Sequence, residues 1–534
     1  MFLSKNAIYP PCVFISPPII SKQAVYLPYY NFCMMKKTFC YSKLAVLFLF
    51  LTMAFSCRQK QTLSLPANQL NPWNDDYSSV SDMGDYLKWG TYNVHDPSFR
   101  QFGEYFYMYS TDAIYRENRK KAAELNVPIG YIQMRRSKDL VHWDFLGWAF
   151  PEIPQEAIDW VRTNNNGKGA TNIWAPYITK HGETYRLYYC VSAFGKKTSY
   201  IGLAESRSPE GPWTQKGCVV KTNNESPMNA IDPTIVEDSE TGKSWMIYGS
   251  FFGGLYCVEI DPTSGLTKNK NDMGHLVARR ANYKKDNLEA AEIIYNPDLK
   301  EYFLFVSYDA LMTTYNIRVG KSKHPEGPYF DYFGKNMADT TDNFPILIAP
   351  YKFENHSGWA GTGHCSVIRT DKGKYFTAHQ GRLSPRNELM VLHVRETFFT
   401  PDGWPVVSPE RYAGEISAKI SKKNIPGRWE IIRVHEPLLN RSLEAGQVLW
   451  GEGETIKGEV NVSKSYFFGK DEKINHEGSW NFDEKKQLLS IEIEGDSIDN
   501  LIIFAGHDWE KQANTLMFTG LDRDGRAVWG KRIE

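Results

Sequence analysis

The stretch YRLYYCVS at residues 185–192 says most about the fold. It is short, dominated by tyrosine, valine and other strand-forming residues, and follows the turn-forming sequence KHGET, which is typical of a β-strand that begins after a tight turn. Four similar strands recur along the chain at intervals of 58 to 80 residues. The five copies are YFYMYS at 105–110, YRLYYCVS at 185–192, SWMIYGS at 244–250, YFLFVS at 302–307 and YFTAHQG at 375–381.

Each aromatic strand belongs to a larger repeating unit. A second strand follows it, and two of these second strands end in the same turn, S-x-x-P-E-G-P, at 206–212 and 322–328. A third strand precedes it. These preceding strands are DPSF at 96–99, APYI at 175–178, DPTI at 232–235, EAAEII at 289–294 and HCSVI at 364–368. Five all-β units of this kind predict a five-bladed β-propeller, whereas a β-sandwich would not repeat one element five times.

The pattern changes after the fifth unit. Residues 426–429, PGRW, have the character of a linker, and the remaining strands alternate polar and apolar residues, as in QLLSIEIEG at 487–495. We therefore predict an all-β chain with a propeller over residues 86–422 and a small β-barrel or β-sandwich domain over residues 426–534.

Charge and composition limit the kinds of function that the chain can have. The chain has 62 Lys and Arg residues and 62 Asp and Glu residues, so its net charge is zero, and nucleic acid is excluded as a partner because phosphate binding needs a basic surface. Aromatic residues make up 14% of the chain. Aromatic side chains fill large β cores and also stack on the apolar faces of sugar rings, so composition alone leaves both uses open.

The N-terminal region resembles an export signal. The apolar run at 44–55 is too short to span a bilayer, lysines precede it, and small residues lead to Cys57. We interpret residues 35–57 as a lipoprotein-type signal peptide with Cys57 as the lipidated residue, residues 1–34 as a misassigned upstream extension, and residues 58–85 as a linker. This predicts an exported bacterial lipoprotein, periplasmic or at the outer membrane or cell surface, that meets the membrane only through its lipid anchor; a plain signal peptide is the alternative.

The candidate site lies where the innermost strands begin. In a propeller, the first strand of each blade lines the central channel, and the residues at these positions are Asp96, Trp174, Asp232, Glu289 and His364. A single Asp-Pro would simply be a turn leading into a strand. Three acids at matching positions in three blades are different, because buried carboxylates are costly unless they are paired or used.

Several motifs carry a resemblance to a known family. They are VHDPSF at 94–99, IWAPY at 173–177, NAIDPTIV at 229–236, GSFFGGL at 249–255, LEAAEII at 288–294, GTGHCSV at 361–367, GWPVVSPERYAGE at 403–415 and MFTGLDRDGRAVWGK at 517–531. Together the motifs are similar to glycoside hydrolase family 43, and more narrowly to extracellular endo-1,5-α-L-arabinanases with an accessory C-terminal β-domain. The resemblance covers roughly residues 90–534.

The resemblance implies roles for individual residues. It implies an inverting hydrolase of α-1,5-linked arabinan or arabino-oligosaccharides, with Asp96 as general base, Glu289 as general acid, and Asp232 as the residue that tunes the pKa of the acid. It also implies that His364 holds a calcium ion together with water molecules. The implied substrate-binding residues are Asp96, Trp174, Gly195, Asn229, Ala230, Ile231, Asp232, Ser250 and Phe251.

One motif departs from the family pattern. The acid motif there reads E-A-P, whereas this chain has Glu289-Ala290-Ala291 followed by a second acid, Glu292. The alignment places the acid at Glu289, and strand alternation turns Glu292 to the opposite face.

Two other functions remain open at this stage. One is exo-acting cleavage, as an α-L-arabinofuranosidase or a β-xylosidase on the same fold. The other is a lipoprotein that binds glycan without cleaving it. The intact set of three acids favours catalysis, because binding alone does not need all three. We expect a monomer.

Overall fold

The computed structural model describes residues 83–112, 116–238, 240–280, 287–339, 342–385, 390–414, 418–435, 449–450 and 461–534. All of them belong to one compact unit, Leu65–Glu534. The predicted signal peptide, including Cys57, lies outside the described residues. Within the described part of the chain, no helix has both the length and the apolar character needed to cross a membrane.

The first part of the chain forms five antiparallel sheets, each built from consecutive strands. The first two sheets are β1 (Val94–Phe102), β2 (Tyr105–Asp112), β3 (Tyr131–Ser137), β4 (Asp144–Phe150), β5 (Trp174–His181), β6 (Thr184–Ser192), β7 (Ser199–Ser206) and β8 (Thr214–Thr222). The next two are β9 (Thr234–Glu237), β10 (Ser244–Tyr248), β11 (Leu255–Ile260), β12 (His275–Ala278), β13 (Leu288–Asn296), β14 (Glu301–Tyr308), β15 (Asn316–Ser322) and β16 (Ile346–Ile348). The fifth is β17 (Trp359–Ala360), β18 (Cys365–Arg369), β19 (Tyr375–Leu383), β20 (Met390–Phe399) and β21 (Pro405–Val407). These sheets are the five blades of a β-propeller, as the repeat predicted.

The described helices are short and peripheral to this plan. The α-helix α1 (Arg116–Glu124) follows β2, and α2 (Gln155–Thr163) connects the first blade to the second. Two 3₁₀ helices lie at Met83–Lys88 and Lys422–Asn424.

Burial explains why the blade strands are so aromatic. Seven consecutive residues of β6, from Arg186 to Ser192, are buried, because each blade packs against a neighbour on both faces. A strand covered on both faces has no solvent side, so its sequence is a nearly continuous apolar run rather than an alternation. The aromatic repeat is therefore the core of the propeller.

The C-terminal strands form a closed eight-stranded barrel in which β22 pairs with β29. The strands are β22 (Gly427–Arg433), β23 (Lys464–Phe468), β24 (Lys473–Ile474), β25 (Gly478–Asp483), β26 (Leu488–Ile493), β27 (Asp496–Asp508), β28 (Ala513–Leu521) and β29 (Ala527–Arg532). Here buried and exposed residues do alternate, as in β26. Of the two predicted architectures, the barrel is correct. The linker predicted at 426–429 is wrong, because Gly427 begins β22 and Trp429 is fully buried in the barrel.

The barrel is fused to the propeller by a shared core. Trp529 of β29 meets the ring of Tyr351 edge-on at 5.3 Å, and Arg395 of the fifth blade lies over both rings. The turn before β29 joins the fourth blade through a backbone hydrogen bond from Ile346 to Gly525. The barrel therefore supports the propeller directly.

Candidate active site

The innermost strands all begin with the same backbone distortion. Five non-glycine residues there have a positive φ, between 40° and 59°: Asp96, Ala175, Asp232, Ala290 and His364. In β1, β5 and β13 the register of pairing to the next strand slips at this point. Left-handed conformations of such residues are uncommon and concentrate at functional sites. The distortion marks the structurally equivalent position of each blade.

This equivalence corrects one expectation from the sequence. The sequence predicts Trp174 and Glu289 at the positions equivalent to Asp96 and Asp232, but Ala175 and Ala290 lie there in their blades, one residue later. Successive residues of a strand point in different directions, so Glu289 approaches the channel from another side than Asp232 does.

Neighbouring blades hold the distorted positions in place. The backbone N–H groups of four of these positions donate hydrogen bonds across the blade boundary to side-chain oxygens. The pairs are Asp96 to Gln380 Oε1 at 3.0 Å, Ala175 to Thr111 Oγ1 at 2.8 Å, Ala290 to Asp232 Oδ2 at 3.0 Å and His364 to Ser307 Oγ at 2.9 Å. The geometry of the channel mouth is therefore set by the whole propeller.

A cavity of about 450 Å³ opens at this end of the channel, a size suited to a small ligand. Its lining includes these residues singled out from the sequence: Asp96, Trp174, Gly195, Asn229, Ile231, Asp232, Ser250, Phe251, Glu289 and His364. Ala230 does not line it, and its methyl group is fully buried in the apolar core between blades; its place in substrate binding stays a prediction. The residues of the lining lie between His95 and His364, so no described residue of the barrel is among them.

One hydroxyl and two imidazoles surround the carboxylate of Asp96. Thr111 Oγ1 donates to Asp96 Oδ2 at 2.7 Å, His95 Nδ1 lies 2.7 Å from the same oxygen, and His364 Nδ1 lies 3.1 Å from Oδ1. Burial would raise the pKa of Asp96, but the two imidazoles hold it well below its usual range. Burial would likewise lower the pKa of His364, whereas Asp96, with Asp232 and Glu289, raises it to about 9. Asp96 is thus an ionised carboxylate.

Glu289 and Asp232 have the opposite electrostatics. Burial raises the pKa of Glu289 against the hydrogen bonds from Ser250 Oγ at 2.7 Å and Tyr315 Oη at 2.8 Å, and the negative charge of Asp96 adds to the rise. Burial and the nearby Glu289 and Asp96 likewise raise the pKa of Asp232 well above its usual range, although His364 opposes this. Glu289 and Asp232 therefore favour their protonated forms more than exposed carboxyl groups do, whereas Asp96 favours its ionised form.

Aromatic rings form the apolar part of the cavity. Trp174 and Phe194 meet edge-on with ring centroids 6.5 Å apart, and Phe194 is 87% exposed at the rim. Phe251 and Phe252 lie on the lining as a second pair, 6.5 Å apart. Flat apolar surfaces beside carboxyl groups suit a sugar, which presents apolar ring faces and polar edges.

Glu292 has a different environment from Glu289. It is 2% exposed, does not line the cavity, and its Oε1 accepts hydrogen bonds from Arg100 at 3.1 Å and from Ser366 at 3.2 Å. Thr234 Oγ1 donates to the other oxygen at 3.3 Å. Glu292 is occupied deep in the channel, whereas Glu289 faces the cavity.

The residues around His364 do not fit a calcium ion by themselves. Calcium takes about 6–8 oxygen ligands, but His364 offers nitrogen and its Nδ1 already lies against Asp96. Within the described part of the chain, three acids come close enough to share a cation at Glu410, Asp508 and Glu510, where the Lys531 ammonium lies. The prediction of calcium at His364 therefore rests on the family resemblance alone.

Sequence reasoning missed some of the residues that contact the acids. His95 and Thr111 contact Asp96, and Tyr315 contacts Glu289. His95 had a signal, since it directly precedes Asp96 in VHDPSF. Thr111 and Tyr315 had none, because they are brought to the acids only by the folding of later strands.

Comparison with known proteins identifies the family models and relatives that the chain matches. A model of glycosyl hydrolases family 43 matches residues 90–405, and a C-terminal lipocalin-like domain matches residues 409–530. The chain is 29% identical to an extracellular endo-α-(1→5)-L-arabinanase of Thermotoga petrophila, covering 85% of this chain and 96% of the relative. It is 30% identical to an extracellular exo-α-(1→5)-L-arabinofuranosidase of Cellvibrio japonicus, covering 61% of this chain and 90% of that one.

A solved structure extends the match to three dimensions. The crystal structure of endo-1,5-α-L-arabinanase from Thermotoga petrophila superposes with a TM-score of 0.68 at 27% identity, covering 83% of this chain and 99% of that chain. With the family model matching more than half of its length, the chain belongs to glycosyl hydrolases family 43 and is a glycoside hydrolase with a C-terminal lipocalin-like domain.

Proposed function

We propose that the protein is an endo-acting hydrolase of α-1,5-linked L-arabinan. The observation that carries this is the meeting of Asp96, Asp232 and Glu289, from three different blades, on one cavity with aromatic walls. The proposed substrate, arabinan or its oligosaccharides, follows from the activity that the Thermotoga petrophila relative carries in its name.

In the proposed mechanism the two key acids act on opposite sides of the scissile bond. Glu289 donates its proton to the glycosidic oxygen, which departs with the electron pair of the bond to the anomeric carbon. Asp96 accepts a proton from a water molecule whose oxygen forms the new bond from the other face, so that the configuration inverts. Asp232 lies close to Glu289, where it either carries a negative charge or shares a proton with Glu289. It also binds the sugar.

The electrostatics of the cavity support this division of roles. A general base must be ionised and a general acid must be protonated at the same pH. The two imidazoles beside Asp96 favour its carboxylate, whereas burial and neighbouring acids raise the pKa of Glu289. A glycan-binding protein without activity would not need carboxyl groups with pKa values displaced in opposite directions.

Product sizes from linear 1,5-arabinan test this function directly. We expect oligosaccharides of several lengths early in the reaction, together with a rapid fall in viscosity. Release of arabinose alone would favour the exo-acting alternative, which the name of the Cellvibrio japonicus relative keeps in view. Release of xylose from xylo-oligosaccharides would favour the β-xylosidase alternative, and no product from any of these would leave a glycan-binding protein.

We also propose that the protein is exported as a lipoprotein anchored through Cys57. The two relatives described above are extracellular by name, and the sequence before Cys57 supports a lipid anchor. Cys57→Ala should move the protein out of the membrane fraction or block its processing. Identical fractionation of the variant and the parent would contradict the anchor.

Two further proposals concern composition and assembly. Elemental analysis of the purified protein, before and after dialysis against a chelator, tests the resemblance-based proposal of calcium at His364. The proposed monomer is tested by light scattering.

A further inference from the structure

Tyr315 joins the candidate acid to the neighbouring blade. It directly precedes β15, is 1% exposed, and its hydroxyl donates to Glu289 Oε1 at 2.8 Å. Its carbonyl accepts hydrogen bonds from the backbone and the hydroxyl of Thr362, at 3.1 Å and 3.0 Å. Its ring packs so closely on Gly363 that a Cβ there would lie 2.2 Å from the ring. Tyr315 is therefore fixed at both its backbone and its ring.

The turn that carries Tyr315 is itself anchored in the fourth blade. Asp309, at its start, pairs with the buried Arg280 at 2.5 Å and accepts a hydrogen bond from Asn316 Nδ2 at 2.8 Å. Charge-assisted hydrogen bonds of this kind fix geometry more strongly than neutral ones do. The hydroxyl of Tyr315 thus has little freedom to leave Glu289.

The two oxygens of Glu289 face different surroundings. Ser250, which donates to Oε2 at 2.7 Å, lines the cavity together with Glu289, whereas Tyr315 does not line it. Oε1 is therefore on the protein side and Oε2 on the substrate side. We propose that Tyr315 is a positioning residue that occupies Oε1 and so keeps the transferable proton of Glu289 on Oε2, facing the glycosidic oxygen.

This inference rests on the proposed role of Glu289 as acid. When Glu289 gives its Oε2 proton to the leaving oxygen, a carboxylate remains, and the hydrogen bond from Tyr315 to Oε1 becomes a bond to a charged group. Such bonds are stronger than those to neutral groups, so the bond strengthens as the proton leaves. Ser250 can turn with the reaction, since a hydroxyl both accepts and donates.

The test is Tyr315→Phe, which keeps the ring on Gly363 and removes only the hydroxyl. Two substrates share the same 1,5-arabino-oligosaccharide, one as its 4-nitrophenyl glycoside and one as its methyl glycoside. We expect kcat on the methyl glycoside to fall roughly tenfold or more, with KM unchanged and with little loss on the nitrophenyl glycoside, whose leaving group needs little protonation. An equal loss on both substrates, or no loss on either, would overturn the proposal.

Two further variants separate the possible failures. Tyr308→Phe removes another buried tyrosine hydroxyl of the same blade, one that donates to Asn343 at 2.7 Å and lies away from the cavity; it should leave the ratio of the two rates unchanged. Glu289→Gln should show the same preference for the good leaving group, more strongly. If Glu289→Gln lacks that preference, the proposed acid is wrong; if only Tyr315→Phe lacks it, the acid stands and the role of Tyr315 is wrong.

Discussion

At the scale of single residues, neighbours decide what identical side chains do. Asp96 and Asp232 have the same side chain and the same left-handed backbone at equivalent positions of two blades. Two imidazoles adjoin Asp96 and depress its pKa, whereas burial and the nearby Glu289 raise the pKa of Asp232. Carboxyl groups whose pKa values are driven apart in this way are the mark of an acid–base pair of roles.

The first prediction separates these roles by leaving group. Glu289→Gln should lower kcat by about 10²–10⁴-fold on arabinan, the usual contribution of general acid catalysis, and should be largely spared on an aryl glycoside. Asp96→Asn should lose activity on both, because its proposed partner is the water, and azide should restore part of it. Steady-state rates on the two substrates measure this.

Glu292→Gln serves as the comparison for Glu289→Gln, since it changes an acid three residues away on the same strand. A fully active Glu289→Gln beside a Glu292→Gln that is folded but inactive would place the acid at Glu292. Full activity of each of the three single variants, Asp96→Asn, Asp232→Asn and Glu289→Gln, would rule out the proposed mechanism.

The sequence allowed the acids to be predicted because they lie in local motifs. Asp-Pro recurs at 96–97 and 232–233, and the repeat in five blades shows that the two pairs stand at matching positions. The sequence does not show that Glu289 lies one residue before the position equivalent to Asp232, since Ala290-Ala291 replaces the X-Pro pair in that blade. Tyr315 was equally hidden, because its contact with Glu289 depends on a turn 26 residues further along the chain.

At the scale of elements, the five innermost strands are joined below the cavity by one polar network. Its centre is Glu292 of β13, paired with Arg100 of β1. Arg100 also contacts the hydroxyl of Tyr177 in β5 at 2.5 Å. Thr234 of β9 and Ser366 of β18 complete the set by donating to Glu292. Each blade contributes one side chain, so the network links all five blades.

The second prediction follows from this network. Glu292→Gln should lower the free energy of unfolding substantially, because removing one partner of a buried ion pair typically costs about 3–5 kcal/mol. Urea denaturation measures the loss. Glu104→Gln is the control. It breaks the ion pair between Glu104 and Lys138, whose side chains are 71% and 58% exposed respectively, and it should barely change the free energy of unfolding. Equal effects of the two variants would mean that the network does not hold the blades together.

Strands are easier to predict from the sequence where both of their faces are buried. The blade strands were recognised because burial on both faces leaves a continuous aromatic run. The start of β22 resembles a linker in sequence because Pro426 and Gly427 are turn formers, whereas Trp429 packs in the barrel and the segment forms a strand. Local propensity gives way to tertiary burial at such boundaries.

At the scale of the whole molecule, a buried charge cluster connects the two domains. Lys531 of β29 is 1% exposed and contacts Glu410, which follows the fifth blade, at 2.8 Å, and Asp508 of β27 at 3.1 Å. It also pairs with Glu510. Burial and repulsion by Glu510 raise the pKa of Glu410 well above its usual range, although Lys531 opposes this. Glu410 therefore favours its neutral form more than an exposed glutamate does, beside the charge of Lys531.

The third prediction is a stability loss in acid that comes from this cluster. Burial would raise the pKa of Glu510, but Lys531 beside it lowers that pKa from 4.5 to about 2. A group whose pKa is depressed by folding stabilises the protein above its unfolded pKa, so this contribution should be lost as pH falls from about 4.5 towards 2. Glu410, with its raised pKa, has the opposite sign and loses its contribution only as pH rises. Glu510→Gln should therefore flatten the acid limb of the free energy of unfolding, measured in urea from pH 5 downwards.

Comparison with an exposed acid of the same barrel isolates the cluster. Glu477→Gln removes a carboxyl from the barrel surface and should leave the acid limb as steep as in the parent. If Glu510→Gln keeps the parent slope as well, acid sensitivity arises elsewhere and Lys531 does not depend on Glu510 for its charge balance. If the slope flattens while the activity per folded molecule is unchanged, the cluster stabilises the junction of the domains without reaching the cavity, as expected because the cavity lining includes no barrel residue that the structure describes.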